Sequence, residues 1–92
     1  MLGGLDGVEF DRDEDEANVA KHGISLARVM DFFPLAAEPD ERHDYGEPRF
    51  RAWGTIDGGN DALAFTGRGN VLRPISLRRA HTKEMKRHVP DR

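Results

Sequence analysis

The sequence predicts an α+β domain: two N-terminal helices and a C-terminal helix packed on one face of a three- to four-stranded antiparallel sheet. Three observations carry that expectation. The first third of the chain has helix start and stop signals. Residues from Phe50 onward alternate with period two. Glycine-rich turns, Asp57-Gly58-Gly59-Asn60-Asp61 and Gly67-Arg68-Gly69-Asn70, separate the alternating runs. Helices followed by a meander suit a layer of helices on an antiparallel sheet.

Residues 1–7 contain three glycines and read as a flexible leader, with residues 8–92 as the folded domain. Residues 8–10 suit a very short strand. From Asp11 an acidic cluster meets the free amides and positive end of a helix dipole, Lys21 and His22 fall near its end, and Gly23 is a C-cap. Ser25 caps a second helix whose apolar stripe is Leu26, Val29, Met30, Phe32 and Phe33, stopped by Pro34. Residues 35–38 suit a strand, and residues 39–47 are polar and turn-rich. Residues 50–56, 62–66 and 71–77 follow as strands, with Pro74 marking an edge or a bulge, and residues 82–88 as the last helix.

The 92 residues allow one domain with a thin core, since 37% are hydrophobic and 34% charged. The chain has no Cys, which excludes disulfide scaffolds, thiolate zinc sites and Cys nucleophiles. No apolar run reaches the ~18–20 residues of a membrane span, and no signal peptide is evident, so a cytoplasmic protein is expected. Net charge is −3, but residues 1–47 carry 13 acidic and 4 basic side chains, and residues 48–92 carry 4 acidic and 10 basic. Either the halves pair within the fold, or the second presents a cationic face to an anionic ligand.

His22, His43, His81 and His88 lack the spacing of metal sites, and no phosphate-loop, dinucleotide or serine-hydrolase motif is present; neither metal nor cofactor is expected. Arg73, Arg78, Arg79, Lys83, Lys86 and Arg87 fall close together on a strand and the helix after it. Arginines on one sheet face would offer forked donors to phosphate; otherwise they form a solvated rim paired with the acidic half. On an unbroken strand Arg73 would share a face with Arg79, and Leu72 with Arg78. Cleaving RNA without a metal needs groups that move protons and cations that stabilise a charged phosphorane, and residues of those types lie near the basic half.

Three blocks, in order, resemble the BrnT toxins. They are Phe10-Asp11 and Asn18-x-x-Lys21-His22-Gly23-Ile24-Ser25-Leu26, then Asp40-Glu41-Arg42-His43-x-x-Gly46-Glu47-x-Arg49-Phe50, then Arg73-x-Ile75-Ser76-x-Arg78-Arg79-Ala80 before a basic helix containing Glu84. The resemblance spans residues 10–88. His88 stands where family members often have Tyr, and Pro74 where an apolar residue is usual. The resemblance implies a RelE-like fold, metal-independent RNA cleavage that arrests translation and growth, and inhibition by a BrnA-like antitoxin. That antitoxin would bind DNA, so DNA contact would be indirect. It implies Lys21, His22, Glu47, Arg73 and Arg78 as catalytic residues: Arg73 and Arg78 on phosphate, Lys21 on the transition state, and Glu47 or His22 on protons. Arg49, Arg68, Arg79, Lys83, Lys86, Arg87 and His88 are the expected further RNA contacts. The alternative is a catalytically silent module that only binds an antitoxin and helps repress its operon.

Overall fold

A computed structural model describes residues 7–91. The chain runs β1 (Gly7–Val8), α1 (Arg12–His22), a 3-10 helix (Leu26–Asp31), β2 (Phe33–Pro39), β3 (Phe50–Ile56), β4 (Gly59–Arg68), β5 (Val71–Arg79) and α2 (Thr82–His88). The expected leader lies outside the described residues except for Gly7, which opens β1. The strands form one sheet in the order β1-β5-β4-β3-β2. β2 to β5 are antiparallel, and β1 runs parallel to β5. The expected three- to four-stranded antiparallel, RelE-like sheet is therefore corrected to a mixed sheet of five strands. Two residues of strand, Gly7 paired with Val71 and Val8 with Leu72, suffice for the parallel addition.

α1 begins where its acids predict. Asp11 accepts from the Glu14 amide, Glu14 accepts from the Asp11 amide, and left-handed Gly23 closes the helix. Its only buried residue is Asn18. The Asn18 side-chain nitrogen donates to the carbonyls of Ile24 and Leu77 at 2.8 and 2.9 Å, and its oxygen accepts from the Leu77 amide at 3.2 Å. One side chain thus occupies the outer edge of β5 beyond the end of β1 and fixes α1 against the strand.

The second predicted helix is a 3-10 helix, and the difference is visible in burial. A period of three stacks Leu26, Val29 and Phe32 on one side, and these three are buried. Met30 and Phe33, which an α-helical stripe would include, are exposed. Pro34 enforces extended backbone at Phe33, so β2 starts before the expected strand.

The helices occupy both faces of the sheet, contrary to the single face expected. Leu26, Val29 and Phe32 pack with Ala52, Ile56, Leu63, Leu72 and Leu77 in one apolar cluster. Met85 and Val89 pack with Trp53 and Ala62 in another. The reason is strand alternation: β3 is apolar on both sides, and Trp53 needs its own cover. Gly54 lets β3 lie close to Phe32, because a Cβ there would stand 2.8 Å from the Phe32 ring.

The Pro74 signal resolves as a bulge. Phe65 pairs with Pro74 and Ala64 with Ser76, so Ile75 is the extra residue. Arg73 then pairs with Thr66 and Arg78 with Ala62, which sets them on one face by register. Arg79 pairs with Asp61 on the other. Leu72 and Arg78 lie on opposite faces, correcting the unbroken-strand parity.

Candidate functional site

α2 has seven residues and covers only the Trp53 end of its sheet face. Beyond it, Ala62, Ala64 and Ser76 floor a recess of about 240 Å³ walled by Arg42, Arg51, Trp53 and Arg78. Small side chains on the floor make the hollow shallow, and each arginine of its wall is paired with a carboxylate: Arg42 with Asp40, Arg51 with Glu38 and Arg78 with Glu84.

Arg78 is gripped by α2. Its two terminal nitrogens donate to the two Glu84 oxygens at 2.8 and 2.7 Å, and the Trp53 indole N–H donates to Glu84 at 3.1 Å. The Arg78 fork, with help from Trp53, holds the Glu84 carboxyl down to about 2. The same pairing raises Arg78 above its ordinary value. The His88 ring stacks flat on Trp53, with centroids 3.7 Å apart and planes 5° apart. Arg51 lies 5.2 Å from the Trp53 ring centre and donates to Glu38 at 2.6 Å, and its Nε is buried without an acceptor.

A second recess of about 390 Å³ adjoins the first at Ser76 and is lined by Glu14, Lys21, His22 and Ile75 among others. Asn18 anchors α1 one turn before Lys21 and His22, which explains why the end of that helix stands over the bulge. Burial, then the charges of Lys21 and Arg78, push His22 below its ordinary value. Neutral imidazole is favoured, as a proton acceptor requires.

A third recess, about 460 Å³, adjoins the first at Arg42 and lies within the β2–β3 connection. Buried Asp40 accepts two bonds of 2.8 Å from Arg42 and one of 3.3 Å from the Tyr45 hydroxyl. Arg42 holds the Asp40 carboxyl well below the usual carboxylate range. Glu47 and Arg49 line this recess, 3.7 Å apart in their ion pair.

Of the residues singled out in the sequence, Lys21, His22 and Arg78 come together around Ser76. Glu47 and Arg49 stand in the loop recess, with Arg68 3.9 Å from Glu47. Arg73 donates to Glu9 at 2.7 Å and to Glu14 at 3.1 Å, and does not line the three recesses. Arg79 is paired at 3.0 and 3.1 Å with the fully buried carboxylate of Asp61. Lys83, Lys86 and Arg87 are exposed on α2, and His88 covers Trp53.

Sequence reasoning missed Arg42, Arg51, Trp53, Ser76 and Glu84 as parts of this surface. Arg51 and Trp53 share a strand parity, a signal that was available. The Trp53–Glu84 bond spans 31 positions and has no local signature.

Residues 10–84 match the family described as the ribonuclease toxin BrnT of type II toxin–antitoxin systems. The chain belongs to this family. Among curated proteins, none matches. Membership brings with it an RNA substrate and an antitoxin partner. No helix among the described residues is long and apolar enough to cross a membrane.

Proposed function

We propose that this BrnT-family chain is a metal-independent endoribonuclease that arrests translation and growth, held in check by a BrnA-like DNA-binding antitoxin. The observation that carries the reading is the meeting of Lys21, His22 and Arg78 around Ser76, where two recesses join. In this reading neutral His22 takes the proton of a ribose 2′-hydroxyl. The 2′-oxygen attacks phosphorus, and the bond to the 5′-oxygen breaks. Arg78, aimed by Glu84, donates to the phosphoryl oxygens as charge develops, with Arg42 and Arg51 beside it. Lys21 brings an ammonium to the phosphorane charge and gives a proton to the departing 5′-oxygen, so that the products are a 2′,3′-cyclic phosphate and a 5′-hydroxyl.

One observation favours a second reading, a silent module that only binds its antitoxin and shares in operon control. Both terminal nitrogens of Arg78 are already committed to Glu84, as those of Arg73 are to Glu9 and Glu14. The readings separate in one experiment. Purified protein is incubated with ribosome-free RNA in EDTA, and then with translating ribosomes. Cleavage is expected, with Arg78→Ala slower by about 10²–10³-fold, the usual effect of losing an oxyanion donor. RNA left intact in both settings would transfer the assignment to the silent module.

A further inference from the structure

Resting on the ribonuclease reading, we propose that the recess within the β2–β3 connection is a nucleobase subsite that selects guanine in the bound RNA. Its position follows from Arg42, which lines both this recess and the arginine-walled hollow. An RNA strand with a phosphate in the hollow therefore has an adjoining base at the mouth of the recess. At about 460 Å³ the recess falls within the roughly 300–1,000 Å³ usual for small-ligand sites.

The lining suits an unstacked base. The Arg49 guanidinium lies 4.1 Å over the Tyr45 ring, and His43 meets the same ring edge-on at 5.7 Å. RNA-binding sites use such aromatic and guanidinium planes to receive splayed-out bases, whose edges are then read by hydrogen bonds. Glu47 supplies the reading group. Its cationic neighbours stand 3.7 and 3.9 Å away, beyond hydrogen-bond length, so its oxygens remain able to accept. Guanine is the RNA base whose Watson–Crick edge offers a carboxylate two adjacent donors, N1–H and the N2 amino group. Its O6 and N7 are the acceptors arginine reads best, and the Nε of Arg49 is buried with no acceptor.

The frame is set before any ligand arrives. Asp40 grips Arg42 and Tyr45 together, its own amide donates to the Arg49 carbonyl at 2.7 Å, and Thr66 donates to the Pro48 carbonyl. A base would thus meet a loop whose backbone and Asp40–Arg42–Tyr45 cluster are already ordered, and little loop ordering would oppose binding.

The test is a nuclear magnetic resonance titration of the purified protein with the four nucleoside 3′-monophosphates and inosine 3′-monophosphate, repeated on Glu47→Gln. Guanosine monophosphate is expected to bind about tenfold tighter than the adenosine, cytidine and uridine compounds, the scale of one bidentate base contact. Its shifts should centre on Tyr45, Glu47 and Arg49. Inosine, lacking the N2 amino group, should fall between. Glu47→Gln should erase the preference while a phosphate-induced shift at Arg78 remains, with an unchanged melting curve as the folding control. Equal affinities, shifts confined to Arg78, or no binding at millimolar concentration would each overturn the subsite. Parallel RNA digestion keeps the two ideas apart. Base-blind binding with RNA still cut defeats the subsite alone, whereas guanine-selective binding with RNA left intact defeats the nuclease reading alone.

Discussion

On one face of the sheet the 3-10 helix lays Leu26, Val29 and Phe32 against a continuous apolar layer from β3, β4 and β5. On the other, α2 covers Trp53 and stops short of a recess floored by Ala62, Ala64 and Ser76, whose three arginines are paired with carboxylates. Both faces use alternate residues of the same strands, so the contrast does not come from strand propensity. It comes from the length of the cover. Six residues of 3-10 helix plus Ile24 and Phe32 close one side, whereas a seven-residue α2 stops short on the other. The closed face buries the larger apolar cluster, and in the proposed reading the open face meets the RNA. Substitutions on the closed side or at its edge should act on folding, and those around the open side on chemistry.

The sharpest way to break this division is Asn18, which is buried yet serves the open side. Asn18→Ala removes three buried hydrogen bonds and strands both polar groups of Leu77. The expected loss is about 3 kcal/mol in chemical denaturation. Cleavage should also fall, because the same bonds hold Lys21 and His22 over Ser76. Denaturation midpoints unchanged from the parent would show that α1 is positioned by something else.

A smaller effect is expected from Arg79, an arginine of β5 that sequence reasoning grouped with the RNA contacts. Its partner Asp61 is fully buried, and burial pushes that carboxyl up from its usual range. Arg79→Ala should therefore cost about 2 kcal/mol of stability by leaving a buried carboxylate unpaired. Asp61→Asn in the same chain should recover much of that loss, which a double-mutant cycle would measure. Full additivity of the two substitutions would remove the pair from the account.

The gentlest probe sharpens the open face. A His22 base held below the ordinary 6.5 keeps its neutral form as pH falls, so the acid limb of kcat/KM should lie below 6.5. Lys21→Ala removes one of the charges that depress it, and the limb should then move up toward 6.5. A limb that starts above 6.5 in the parent would take the proton-accepting role from His22.

Much of this plan was legible in local patterns. The acidic helix start at Asp11, Gly23 and the alternation from Phe50 to Ile56 each depend on neighbours within a few residues, and each lies where the sequence placed it. Of the expected Asp57–Asp61 turn, Gly59, Asn60 and Asp61 belong to β4, and Asp57 and Gly58 alone make the turn. Both residues have positive φ, at 51° and 81°, as a tight hairpin requires. Lys21, His22 and Arg78, singled out through resemblance rather than through spacing, lie together around Ser76. What escaped was set at long range. Whether Leu26 to Phe33 winds with period three or 3.6 depends on the layer it packs against. Arg73 and Arg78 look equivalent along the chain, yet Glu9 and Glu14 take one and Glu84 the other.

The bulge at Ile75 gives β5 two reading frames. Up to Pro74, alternate residues address one pair of surfaces; from Ser76 onward the assignment is reversed. Were the strand unbroken, with Ile75 paired to Ala64, Ser76 and Arg78 would turn toward the apolar layer and Leu77 away from it. A bulge at one ordinary apolar residue therefore decides which side of the sheet Arg78 faces.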